Sequence, residues 1–287
     1  MKYFFLFLLT GLTALQAQNI TGIATYQSKT NIDFKMENKK LDPVMMAMIQ
    51  EKMKKSFEKT YTLSFNQYES VFKEEEQLET PGQSSGNIQI KVSGYNSGKI
   101  YKNVDKALYK KETDISGKAF LIDDKLIPYE WELTDESKQI GHYVAFKAVA
   151  TIKFDSISSL KLRKPKLKKK NNTKDSDSIV SPLDELDLPK EKKITAWYTP
   201  QIPIQTGPDE YWGLPGLILE VQSGKTVILC SKIVLNPKDG FQIKIPKKGK
   251  PISKQEYAEI MIEKAKESKE MYSGKGKKSD MKIIYSN

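Results

Sequence analysis

One cysteine, one histidine and, among forty-seven basic residues, one arginine are all that this sequence holds of three chemically versatile side chains. Cys230 alone cannot close an intramolecular disulfide. His142 alone excludes any metal site that needs two imidazoles, and leaves a single histidine to act as a general base. Arg163 stands against lysine everywhere else, so the planar fork that reads phosphates and base edges is missing and nucleic acid is excluded as a partner. Beyond the first seventeen residues no apolar run approaches the roughly 18 residues of a membrane-spanning helix. No glycine-rich phosphate loop, nucleophile elbow or metal-ligand spacing is present, so no catalytic residue, metal or cofactor is assigned.

The N-terminus places Lys2 before the apolar run at 4–9 and ends in Ala14-Leu15-Gln16-Ala17. That is the pattern of a signal peptide over residues 1–17, too short to anchor, with cleavage expected after Ala17 and no cysteine at the cut for lipid attachment. Export to the periplasm or cell surface follows, with residues 18–287 as one soluble domain. Net charge is +11 but uneven. Residues 161–174 carry +8 and residues 244–282 carry +6, which leaves the rest at −3. The densest run lies within residues 156–193, rich in Lys, Ser, Asp, Asn and Pro with little apolar periodicity, which reads as a disordered insertion between two strands. A solvated loop is the plain reading of it; a weak electrostatic contact with an anionic membrane surface is the alternative.

Elsewhere the pattern is mainly strand. Strands are expected at 22–34, 61–73, 88–93, 98–104, 107–113, 118–123, 129–134 and 142–154, from period-two alternation broken by Gly, Asn, Ser and Asp. Asp42-Pro43 opens an inserted N-terminal helix to about residue 58, carrying Met45, Met46, Met48 and Met53. Those thioethers form either a soft site for Cu(I) or, with Ile49 and Phe57, a buried stripe; the stripe is preferred. Ser253-Lys254-Gln255-Glu256 is a capping box for a C-terminal helix over 253–273. The fold class is therefore mainly β (α+β): a curled antiparallel meander or half-barrel with an inserted N-terminal and a C-terminal helix. That order of elements is similar in shape to the half-barrel of periplasmic lipoprotein carriers.

The most distinctive stretch is Gly213-Leu214-Pro215-Gly216-Leu217-Ile218, reached through residues 196–204 and Gly207-Pro208. Proline then glycine at the centre of Leu214-Pro215-Gly216-Leu217 predicts a type II turn, with Gly216 at positive φ, that launches a strand buried on both faces. Ser223-Gly224 then predicts a hairpin into 225–230. The hexapeptide and its flanks resemble the signature of the GLPGLI family. The resemblance implies a secreted protein of Gram-negative bacteria, from a family of unknown function. It also implies a cysteine in the segment matched by residues 140–148, where this chain has Ala145. Cys230 is then the unpaired member of any family disulfide, and its apolar neighbours make it a small buried hydrophobe in preference to a nucleophile.

Trp197, Tyr198, Tyr211 and Trp212 surround Pro200, Pro203 and Pro208, and form either a groove for a peptide, glycan or lipid or a loop clamped to the core. Asp209-Glu210 are adjacent carboxylates on a turn, and His142 beside Tyr143 and Phe146 reads as a structural histidine in a strand. The balance points to a secreted binding or accessory protein without a catalytic constellation. An envelope hydrolase that uses carboxylates, and a structural partner of an outer-membrane protein, are the alternatives.

Overall fold

The computed structural model describes residues 20–31, 42, 44, 51, 57–75, 98–153, 191–238 and 242–273. Twelve strands among them form one open sheet, in the order β12 (Lys250–Ile252), β6 (Lys118–Lys125), β5 (Leu108–Ile115), β4 (Ile100–Asn103), β3 (Glu69–Glu74), β2 (Glu58–Phe65), β1 (Gly22–Thr30), β11 (Thr226–Leu235), β10 (Leu217–Ser223), β9 (Glu191–Thr199), β8 (Tyr143–Lys153) and β7 (Glu132–Ile140). Most neighbours in that order are neighbours in sequence, as expected of a meander, and every pair is antiparallel except β12 with β6. The sheet does not close: β12 (Lys250–Ile252) and β7 (Glu132–Ile140) are its two edges. The mainly β architecture is as the alternation predicts.

β1 (Gly22–Thr30) sits near the middle, between β2 (Glu58–Phe65) and β11 (Thr226–Leu235), and joins the two ends of the chain. A single strand was expected over 61–73, yet β2 turns into β3 (Glu69–Glu74). The reason is local: the Asn66 side-chain oxygen accepts from the backbone N–H of Tyr68 at 2.9 Å and of Glu69 at 2.7 Å, which closes an Asx turn. β4 (Ile100–Asn103), β5 (Leu108–Ile115) and β6 (Lys118–Lys125) follow the expected meander. The strand expected at 129–134 is displaced. Residues 126–131 run outside the ladder, and pairing resumes at Glu132 in β7 against β8 (Tyr143–Lys153).

β9 (Glu191–Thr199) already begins inside the span expected to be an insertion, with Lys153 opposite Glu191. The rest of 156–193 lies outside the described residues, as do the strand at 88–93, the four helix methionines and the body of the helix expected from Asp42. At that helix start, Val44 N–H donates to the Asp42 carboxylate at 3.2 Å, and by Glu58 the chain is already strand. β10 (Leu217–Ser223) pairs with β11 across the two-residue loop Gly224-Lys225. Helix α1 (Lys254–Ser273) starts on the capping box: Glu256 N–H donates to Ser253 Oγ at 3.1 Å, and Ser253 N–H donates to the Glu256 carboxylate at 2.7 Å. None of the helices among the described residues is long and apolar enough to cross a membrane.

Two cores lie on opposite sides of the sheet. The larger gathers Tyr26, Leu63, Phe65, Phe72, Ile100, Tyr109, Leu217 and Leu219 with Ile202 and Ile204. The smaller gathers Ala148, Ile194, Ala196, Tyr198, Tyr211, Leu214, Ile218 and Val221. Leu217 and Leu219 go to one core and Ile218 and Val221 to the other, the bulge between Ile218 and Glu220 shifting the alternation by one residue, so β10 is buried on both faces, as its apolar run predicts.

Candidate functional site

The segment at 200–216 between β9 and β10 carries most of the residues that sequence reasoning singled out. Its backbone is built from tight turns around residues 203, 205 and 215: Ile204 N–H donates to Ile202 O, Thr206 N–H to Ile204 O and Gly216 N–H to Leu214 O, each at 2.8 Å. These are γ-turns, and the fixed φ of Pro203 and Pro215 suits two of them. The type II turn expected at 214–217 is therefore not the one formed. Gly216 does not take positive φ; Gly213 does, at 91°. Gly216 is required for closeness instead, since a Cβ there would stand 2.1 Å from Thr199 O and 2.8 Å from Pro200 N. The returning limb is stitched to the outgoing one by Leu217 N–H to Ile202 O at 2.9 Å and Ile218 N–H to Thr206 O at 3.0 Å.

Beneath this segment lies a residue that the sequence did not single out. Lys102, on β4, is fully buried, and its ammonium donates to Gly207 O at 2.7 Å and Tyr211 O at 2.8 Å. Burial pulls the ammonium down to about 7, against the upward pull of Asp209 and Glu210 on the loop above it. Lysine is almost never fully buried without a partner. All four residues of β4 are buried: Lys102 shares a strand face with the core residue Ile100, and the loop at 200–216 covers it there. No local signal marks this. The buried Ser70 and Thr206 hydroxyls, 2.8 Å apart, tie β3 to the same loop.

The outer side of the loop is clasped by residues 126–131. Trp131 Nε1 donates to Trp212 O at 2.8 Å, and Trp212 Nε1 donates back to Ile127 O at 2.9 Å. Tyr129 packs between Trp131 and Tyr211, with ring centroids at 5.3 and 5.6 Å, and burial raises its hydroxyl far above the ordinary tyrosine range. Glu210 faces Lys254 on α1 at 3.7 Å, and the same ammonium sits 4.0 Å over the Tyr109 ring.

The four aromatics proposed for one groove divide two and two. Trp197 and Trp212 pack on the larger core, while Tyr198 and Tyr211 belong to the smaller. The alternation of a strand separates Trp197 from Tyr198, and the sharp course of the chain separates Tyr211 from Trp212. Trp197 is half-buried beneath Lys138, whose ammonium lies 4.3 Å from the ring and 2.6 Å from the Glu220 carboxylate. The signature residues Leu214, Gly216, Leu217 and Ile218 are buried, and Gly213 and Pro215 are exposed.

The remaining candidates lie apart. His142 is not in a strand but in the exposed turn between β7 and β8. Cys230, on β11, packs against the larger core, and burial pushes its thiol up to about 12, as expected of an inert hydrophobe. The two strands between β8 and β11 hold Ala145 and Cys230 about 14 Å apart, too far for a disulfide between those positions. Among the described residues no group of three His, Cys, Asp or Glu side chains could hold a metal ion.

No curated protein matches this sequence. Among solved structures, the chain is similar to PNGF-II in a C2 crystal form, with 14% identity and a TM-score of 0.44 over 85% of this chain and 33% of that one. PNGF-II in a P21 form matches at 13% identity and a TM-score of 0.43, over 84% and 33% of the two chains. LprF from Mycobacterium bovis matches at 9% identity and a TM-score of 0.26, over 80% and 90%. This chain thus spans about a third of the length of the PNGF-II chains. The model of a protein family described as a protein of unknown function (Porph_ging) matches residues 131–220, from the indole that clasps the loop to the β10 carboxylate that meets Lys138.

Proposed function

We propose that the chain is an exported binding or accessory protein of the cell envelope, and that the loop at 200–216 is its ligand-facing platform. The observation that supports this reading is the buried Lys102 ammonium, which spends two donors on carbonyls of that loop. A loop fixed from below by charge-assisted hydrogen bonds, and from the side by two indole N–H groups, presents Trp212 and its exposed prolines at small entropic cost. The ligand is a peptide, glycan or lipid that meets Trp212, with Trp197 as a separate contact on the Lys138 side. The test is native mass spectrometry of the protein purified from its own envelope fraction. A retained small molecule or companion chain, lost in Trp212→Ala while the fold persists, is the expected outcome. A parent that carries nothing, together with a Trp212→Ala variant that unfolds, refutes the platform.

One observation favours an enzyme as the second reading. A lysine displaced toward neutrality beside two carboxylates is the kind of group that active sites tune. Asp209→Asn and Glu210→Gln discriminate the two: a binding platform retains its ligand in both, whereas a hydrolase loses turnover.

A further inference from the structure

The strap at 244–250, Lys244-Ile245-Pro246-Lys247-Lys248-Gly249-Lys250, enters neither core nor the loop site. It is pinned to the edge of the sheet. Lys247 and Lys248 N–H groups both donate to Glu112 Oε1, at 3.3 Å each, Pro246 is buried, and Gly249 passes so close to β6 that a Cβ would meet the Phe120 backbone at 2.5 Å. Lys250 then enters parallel register with Phe120. The anchoring is entirely by backbone and proline, so the side chains of Lys244, Lys247, Lys248 and Lys250 stand exposed. Lys99 adds a fifth exposed lysine, because its carbonyl accepts from Glu112 N–H at 3.0 Å on the strand that holds the strap. Two carboxylates that meet the strap are already engaged. Glu112 is committed to the strap's backbone, and Glu256 on α1 accepts from Ser253 while Lys250 helps to draw its carboxyl down. Ile245 lies among these lysines, 42% exposed.

We infer that this strap is a docking surface for an anionic lipid bilayer: the lysines lie in the headgroup layer and Ile245 enters the acyl boundary. Lysine without arginine gives point charges suited to a diffuse negative surface, and an exposed isoleucine beside Lys244 gives nothing to a soluble polyanion. The site is distinct from the run at 161–174 and independent of any ligand at the loop.

The test is co-sedimentation of the full chain with vesicles of phosphatidylcholine alone and of phosphatidylcholine with phosphatidylglycerol. The parent is expected to bind only the mixed vesicles, less so at high salt. Replacing all four strap lysines by glutamine is expected to weaken binding by roughly fivefold per lysine, with the thermal transition kept because none of those side chains is buried. The pair Lys247→Gln and Lys248→Gln gives the same reading at smaller amplitude if the fourfold variant fails to fold. Ile245→Ser is expected to weaken vesicle binding about threefold or more and to leave binding to long-chain polyphosphate unchanged. Three results overturn the inference: a parent that ignores mixed vesicles, strap variants within twofold of the parent while a matched substitution of Lys164, Lys166, Lys168 and Lys169 abolishes binding, or an Ile245→Ser variant unaltered on vesicles.

Discussion

Replacing Lys102 by methionine separates two effects that oppose one another at the centre of the site. Methionine keeps the length and apolar stem but removes the donors, so Gly207 O and Tyr211 O lose the ammonium that reaches them at 2.7 and 2.8 Å. Two buried carbonyls without that partner cost about 1–3 kcal/mol each. Against this, the substitution removes a charge whose burial is itself unfavourable. With a folded value of about 7, against roughly 10.4 in the unfolded chain, holding the proton costs about 4–5 kcal/mol wherever both states are charged, that is, below pH 7. At pH 6 the terms nearly cancel, and the variant is expected within about 2 kcal/mol of the parent.

The pH dependence does not cancel. Between the two values the unfolded chain binds more protons than the folded one, so the parent's stability rises with pH, and from pH 6 to pH 9 this group adds about 2–3 kcal/mol. A neutral amine still donates twice, so both carbonyl bonds survive. The variant lacks the rise. Urea denaturation of both chains at pH 6 and pH 9 is the assay, read as the difference between the two, so that groups shared by both chains drop out. Parallel stability in parent and variant at the two pH values would refute the assignment of a strained, titrating lysine beneath the loop.

Gly216→Ala is expected to destabilise by about 1–3 kcal/mol, seen as a lower urea midpoint, because its Cβ would stand 2.1 Å from Thr199 O and the β9–loop junction must move. A variant as stable as the parent would show that the close approach is not present. Replacing residues 165–188 by a short glycine-serine linker is expected to leave the thermal transition nearly unchanged, since the β8–β9 ladder already brings Lys153 opposite Glu191; loss of cooperative unfolding would assign that segment a structural role. N-terminal sequencing of the protein recovered from its native envelope is expected to begin at Gln18, and an intact Met1 would remove the argument for export.

What the sequence determined by itself is what neighbours along the chain decide. Alternation and turn residues located β4, β5, β6 and β8 to within a few residues, and the Ser253–Glu256 spacing located the start of α1, because these patterns act within one turn or one strand. Misses of the same kind were also local: the Asn66 turn inside 61–73 has its own side-chain hydrogen bonds, but no Gly or Pro to announce it. Tertiary structure decided the site. Whether Gly216 serves by its φ or by its smallness depends on where the Thr199–Pro200 backbone passes, and that was invisible in Leu-Pro-Gly-Leu. The aromatics at 197, 198, 211 and 212 are close in sequence, yet the alternation of β9 and the path of the loop send them to two cores. Lys102 is the clearest case, because its burial is completed only when a segment more than a hundred residues later folds over it and supplies the carbonyls its ammonium needs. Burial and the dielectric that sets a pKa are properties of the surroundings in space, and a chain read residue by residue does not contain them until it is folded.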